Sequence, residues 1–175
     1  MIELLKTRRS IRKYEDREIE KEKIDILLKA ALLAPTSMNK KSWEFIAVYD
    51  KDLIEKLSKS KEYGSKLLES APFCIVIIAD KERSDVWIED ASIAASIIHL
   101  TAHSIGLGSC WVQIRERVHS NEEMAEDYVK KVLNIPDKYG VECIIPIGYP
   151  AEDKKAYEES DLLYDKIHLN GYENK

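Results

Sequence analysis

The sequence predicts an α/β or α+β fold, with helices flanking one central sheet. Three observations carry that expectation. Segments with helical periodicity alternate along the chain with short β-prone segments. The run Phe73–Ala79 is apolar without a break, as a strand covered on both faces should be. The stretch 85–108 is helical in pattern and apolar on nearly every side, which marks a buried helix of the kind found at subunit interfaces. A chain of 175 residues is expected to form a single domain over 1–175 and is long enough for a true core.

Each element follows in order. Ile2, Leu4 and Leu5 predict a short first helix, and an extended polar stretch follows from Ser10 to Glu18. Ile24, Leu27, Leu28, Ala31 and Ala34 recur at helical spacing, and Pro35 closes that helix. "WEFIAVYD" reads as a strand, "KDLIEKLSKS" as an amphipathic helix, and Ser65–Ser70 as a further helical turn. After the strand at 72–80 comes the central helix. Ile88, Ala91, Ala94, Ala95, Ile98, Ala102 and Ile105 line one side, Ile93, Ile97 and Leu100 the other, and Gly106 and Gly108 stop it. "SCWVQI" predicts another strand. "NEEMAEDYVKKVLNI" predicts another helix, capped by Asn121 or Ser120, and "VECIIPIGYP" a last central strand. The tail 151–175 is polar with apolar anchors at Leu162, Leu163, Tyr164 and Ile167, and is expected to pack on a partner subunit.

Composition narrows the function. The formal net charge of −5 argues against nucleic-acid binding, which needs a basic face to displace counterions. No stretch approaches the roughly 18 apolar residues of a membrane span, and the N-terminal charges follow the apolar residues rather than precede them, unlike a secretory signal. Cys74, Cys110 and Cys143 are widely spaced, with no CxxC pair, and read as reduced, buried thiols of a cytoplasmic protein.

Against that acidic background, "KTRRSIRKY" gathers Lys6, Arg8, Arg9, Arg12 and Lys13 around Ser10. Arginine offers a planar fork that matches phosphate, and a hydroxyl adds a donor. If the segment is extended, residues 8, 10 and 12 share one side, and a small anion there would meet two guanidinium groups and a hydroxyl. A solvated arm is the plain alternative. In "APTSMNKKSW", Thr36, Ser37 and Asn39 follow Pro35 and put polar groups in a loop, suited to a heterocycle's carbonyls and ring nitrogens but also ordinary loop formers. "GLGSCWV" lacks the spacing of a dinucleotide fingerprint and follows a helix, so its glycines can be simple caps.

Taken together, and in this order, "RRSIRKY", "APTSMNKKSW", "DASIAASIIHLTAHSIGLGSCWV" and "IPIGYPAE" resemble the FMN-dependent nitroreductases over nearly the whole chain. The resemblance implies a central mixed or antiparallel sheet in an intertwined homodimer, with FMN in the interface. It implies that Arg8, Arg9, Ser10 and Arg12 hold the flavin's phosphate and pyrimidine edge. Pro35, Thr36, Ser37 and Asn39 would reach the flavin from the other subunit, and Trp111, Val112 and Gln113 would run beside the isoalloxazine. It further implies an enzyme taking electrons from NADH or NADPH and passing them, in ping-pong fashion, to a small acceptor such as a nitroaromatic or quinone, with no catalytic side chain beyond those that tune the flavin. Reduced flavin carries negative charge near N1, which a nearby cation stabilises.

The sequence departs from the family in two places. Lys41 and Ser42 precede Trp43 where members carry Gln-Pro, and no arginine follows "GYP", so Lys154 or Lys155 would replace it as a point charge. Other chemistries fit the same scaffold: dehalogenation, enoyl reduction, azoline oxidation, flavin fragmentation, or flavin binding without catalysis. An anion-binding interaction protein using only the basic arm is a separate alternative. His99 and His103 have the spacing of a metal face, but no third ligand follows, and polar residues of a buried or interface helix are the competing reading. Cys110 has no cation in its sequence flanks and reads as inert packing. Trp87, Tyr63 and Trp111 are either pocket wall or core, and Asp90, just inside the central helix, reads as a structural cap or a partner of the helix's N-terminal dipole.

Overall fold

The computed structural model describes residues 1–172. Its centre is an antiparallel sheet in the order β1 (Trp43–Val48), β2 (Phe73–Asp80), β7 (Tyr139–Gly148), β3 (Gly108–Ser109), with β4 (Val112–Gln113) also paired to β7. The sheet is purely antiparallel, one of the two arrangements the sequence allows. Both faces are covered. On one, Ile75, Ile77, Cys143, Ile145 and Ile147 pack against α2 (Lys21–Leu32) and α4 (Trp87–Ser104). On the other, Cys74, Val76 and Ile144 pack against α3 (Lys51–Ser58) and α5 (Ala125–Leu133). Full burial of each Ile or Leu contributes about 1.5–3 kcal/mol, so the two apolar layers over β2 and β7 dominate the stability of the sheet.

Local chemistry sets the element ends. Asp50 caps α3 by accepting the Leu53 N–H at 2.9 Å. α2 stops at Leu32, short of Pro35, because the residue before a proline is pushed out of the helical region. α5 ends on Asn134 in the left-handed region, φ 55°.

Two expectations are corrected. The strand expected at 109–114 is two short pairings, because β7 carries Pro146 opposite Cys110. Proline has no N–H to give the ladder, and the Cys110 N–H to Pro146 carbonyl contact stretches to 3.4 Å. The helix expected from Asn121 starts at Ala125. The preceding residues form a β5–β6 hairpin (Val118–Ser120, Glu123–Met124), and no side chain caps the helix.

α1 (Ile2–Thr7) packs beside α4, and the chain then runs extended along the outer edge of the sheet. Ser10 bridges Ser109 in parallel and Tyr14 bridges Pro150 in antiparallel sense. The tail from Ala151 returns along this segment: Ala151 N–H donates to the Lys13 carbonyl and Tyr157 N–H to the Lys6 carbonyl, both at 2.9 Å. Beyond it, Leu163, Ile167, Leu169 and Tyr172 stand exposed, while 173–175 of the tail lie outside the described residues.

Candidate functional site

The basic segment is held at both ends. The Ile11 N–H donates to the Ser109 carbonyl at 2.9 Å, and the Ile11 side chain is buried with Tyr14 and Ala71. The Tyr14 hydroxyl donates to the carbonyls of Ile11 (2.7 Å) and Pro146 (3.2 Å). Burial raises the Tyr14 phenol well above its usual range, so it serves as a neutral tie. Alternation then sorts the remaining side chains. Arg8, Ser10 and Arg12 gather round Cys110, where the Arg12 charge, the Ser10 hydroxyl and the Arg8 charge each favour the thiolate. Burial outweighs all three and keeps the thiol raised, hence protonated. The sequence flanks of Cys110 offered no cation, and the fold supplies two.

Arg9 faces the other way. Its guanidinium donates to the Lys155 carbonyl and lies over the Tyr157 ring, 4.5 Å from the centroid. It ties the tail down, whereas Arg8, Ser10 and Arg12 form the open donor group. Among the described residues, neither the Arg8 nor the Arg12 guanidinium pairs with a carboxylate. Two uncompensated guanidinium groups beside a hydroxyl are a donor set that fits a phosphate ester and an electron-rich ring edge.

α4 supports this group from below. His99 is buried, and its Nδ1 lies 2.7 Å from the Ser109 Oγ. Burial first, then the Arg8 charge, lowers His99 to about 4, so the imidazole is neutral. His103 lies 2.8 Å from the Thr7 hydroxyl and is lowered by the same two causes in the same order. Sequence reasoning found these histidines as a possible metal face. Their role as props under Arg8 depends on a helix-to-strand contact that no local pattern signals.

The lysines after Pro150 are paired within the chain. Lys154 lies 2.9 Å from Glu152, whose other oxygen accepts the Arg12 N–H at 2.6 Å. Lys155 reaches Glu158 at 2.7 Å. Lys154 also lines a small hollow of about 230 Å³ with Thr7, Arg9 and His103. A cleft of about 470 Å³ opens elsewhere, between Glu15–Ile19, Tyr49, Ile54 and Phe73, and carries none of the sequence-predicted site residues.

Pro35, Thr36, Ser37 and Asn39 form a fixed loop at the opposite end of α4. Ser37–Asn39 is a single 3-10 turn in which Met38 and Asn39 have positive φ. The buried carboxylate of Asp90 accepts the Ser37 N–H at 2.8 Å, and the Thr36 hydroxyl accepts the Lys41 N–H at 3.0 Å. Asp90 thus caps the loop from within α4. Along a helix rising ~1.5 Å per residue, Asp90 and His99 are ~14 Å apart and Asp90 and His103 ~20 Å. The loop and the basic segment therefore do not converge within one chain.

Trp111, Val112 and Gln113 divide. Val112 is buried in the α3/α5 core. Trp111 and Gln113 lie part-buried towards α4, the indole N–H donating to Gln113 Oε1 at 2.8 Å and Gln113 Nε2 to the Arg115 carbonyl at 3.1 Å. Trp87 packs on Gly140 and Tyr63 is exposed.

A model of the Nitroreductase family matches residues 5–61 and 56–149. A solved FMN-dependent nitroreductase of Clostridium difficile is 57% identical, covers 98% of this chain and 100% of its own, and superposes with a TM-score of 0.97. A Methanothermobacter thermautotrophicus protein, provisionally named an NADH dehydrogenase/NAD(P)H nitroreductase, is 37% identical over 97% of this chain and 86% of its own. A Bacillus subtilis FMN reductase [NAD(P)H] is 27% identical over 97% of this chain and 75% of its own.

Proposed function

The chain belongs to the nitroreductase family of oxidoreductases, and on that premise we propose that it holds FMN between two copies of itself and uses NADH or NADPH to reduce a small acceptor such as a nitroaromatic or quinone. When bound, FMN would supply the redox chemistry that links a nicotinamide donor to the acceptor.

The chain's own residues bind, orient and tune. Arg8 and Arg12 hold the phosphate and the pyrimidine edge, and Ser10 adds a hydroxyl donor. Their positive charge favours the reduced, anionic cofactor over the oxidised one. Neutral His99 and Ser109 brace the strand under Arg8 without adding charge. Trp111 and Gln113 form the β4 edge beside the ring. The partner subunit's Thr36, Ser37 and Asn39 complete the site, since one chain keeps that loop at the far end of α4 from Arg8. Lys154, on the Glu152 carboxylate that also holds the Arg12 N–H, is the better placed of the two lysines to stand in for the arginine missing after "GYP".

The observation that carries this reading is the pair of guanidinium groups that have no carboxylate partner among the described residues, held beside Ser10 in a chain 57% identical to an FMN-dependent nitroreductase. The test is the visible spectrum of the purified protein before and after addition of FMN, then NADH or NADPH oxidation with nitrofurazone and a quinone. A colourless protein that gains no flavin bands would overturn it.

A further inference from the structure

Glu142 lies in the central strand and is only 3% exposed. Its neighbours Cys143, Ile145 and Ile147 face α2 and α4, while Ile144 faces α3 and α5. Straight alternation from Ile144 would send Glu142 to the α3/α5 side. Instead Val141 packs there, and Glu142 turns to α4, its Oε1 accepting the Ser92 hydroxyl at 3.5 Å. The cause is a register shift at Ile77/Ile78 that leaves Glu142 without an opposite residue. A bulge of this kind re-aims a side chain and is common beside active sites.

The re-aimed carboxylate meets a polar chain. Its Oε2 is 3.2 Å from the Arg115 Nε, unaligned for a hydrogen bond, and both atoms are buried without a hydrogen-bond partner. The Gln113 side chain lies close enough to the same carboxylate to favour its ionised form. Gln113 also accepts the Trp111 indole N–H and donates to the Arg115 carbonyl. A buried carboxylate so loosely paired with a part-exposed arginine, which Glu116 also holds, gains little from the pair and is sensitive to protonation.

We propose that Glu142 is a positioning residue: a bulge-aimed carboxyl that sets the Gln113 amide and the Arg115 guanidinium under the β4 edge and re-sets them when it gains or loses a proton. That these groups border the flavin rests on the proposed function above. The groups facing Glu142 are Arg115 from the turn after β4, Gln113 from β4, Ser92 from α4, and the Cys143 thiol beside it, which burial and then Glu142 itself keep protonated. From β2 the neighbour is apolar Ile78, and Asp90 is turned away to Ser37 and Ser84. Burial raises the Glu142 carboxyl above its ordinary range, and the Arg115 charge pulls it part of the way back. Ionised, the carboxyl attracts the Gln113 amide and the Arg115 guanidinium. Protonated, it becomes a donor and releases the attraction.

The test uses flavin-free, ¹⁵N-labelled protein. The Trp111 indole N–H resonance, assigned with Trp111→Phe, should move through one titration lying above the ordinary carboxylate range. Glu142→Gln, equal in shape but without a proton to lose, should hold it still. A stationary wild-type resonance, or the same titration in Glu142→Gln, overturns the proposal. Should that variant not fold, the Glu142 carboxyl ¹³C signal of the wild type decides: an ordinary carboxylate midpoint overturns it and a raised one supports it. In flavin-loaded protein, the pH profile of kcat/KM should lose one ionisation in Glu142→Gln, and an unchanged profile overturns the functional part. Failure to bind FMN would refute the proposed function and leave the indole titration standing.

Discussion

Gly108→Ala tests whether the placement of the basic segment depends on one close contact. A Cβ at Gly108 would stand 2.8 Å from the Ile11 Cβ and Cγ2 and 2.9 Å from its Cγ1. Carbon atoms pack best at about 3.5–4.0 Å, so one strand must retreat by ~0.6–1.2 Å. Ile11 cannot swing aside, because its side chain is locked among Tyr14 and Ala71. The retreat therefore falls on the pairing of Ser10 with Ser109 and on the 2.9 Å bond from the Ile11 N–H. Overpacking of this kind costs ~1–3 kcal/mol, and a weakened buried hydrogen bond about 1 kcal/mol. With ~2 kcal/mol as a central figure, the melting temperature should fall by about 4–8 °C for a chain of this size. FMN affinity, followed by quenching of flavin fluorescence, should fall at least ~10-fold if about 1.4 kcal/mol of that displacement reaches Arg8 and Arg12. Gly106→Ala is the control. Nothing lies within 4 Å of its added Cβ, but φ is +79°. Strain should cost ~1–2 kcal/mol of stability and leave FMN affinity alone. Equal FMN binding by Gly108→Ala and wild type would refute the reasoning, as would equal losses in the two glycine variants.

The other predictions concern separate parts of the molecule. His99 is lowered from 6.5 to about 4, so the unfolded chain takes up its proton first as pH falls. Stability should drop across that window by about 1.4 kcal/mol per pH unit, ~3 kcal/mol in all, and then level off. Urea unfolding at pH 7 and pH 5 should show His99→Gln with the shallower fall, and parallel falls would contradict it. Asp90→Ala removes the acceptor of the Ser37 N–H. It should cost about 1.5–3 kcal/mol and raise amide exchange in 36–41 while leaving β2 and β7 protected; unchanged exchange in the loop would count against it. Leu163 and Ile167 are 63% and 55% exposed in the single chain. If the tail packs on a partner, changing both to Asp should weaken association by ~3 kcal/mol or more, over 100-fold, as read by sedimentation; an unaltered assembly would place the interface elsewhere.

How much of the site could be read in advance depended on range. The extended run through Arg8, Ser10 and Arg12 was legible because alternation is a local rule, and the same rule sends Arg9 to the opposite side, onto Tyr157. The loop at 35–39 was legible from Pro35 and its polar residues, whereas Asp90, expected as a cap or dipole partner of its own helix, turns instead to the Ser37 N–H of that loop. The division of 109–114 was harder to see, because its cause, Pro146, lies in another strand. Glu142 was invisible: in sequence it is one acidic residue in an apolar strand, and only the bulge against β2 turns it towards Arg115 and Gln113.

By itself the sequence determined the alternation of helices and strands, the two-sided burial of β2 and β7, the family, and the types of residue that gather charge near the N-terminus. Those properties follow from periodicity and composition, which act over a few residues at a time. The tertiary structure alone decided that Arg8 and Arg12 share Cys110 as a neighbour, that His99 stays neutral beneath them, and that the polar loop sits a helix length away. Such outcomes rest on contacts between segments distant in the chain, where desolvation and backbone register, rather than local propensity, choose the partner of each polar group.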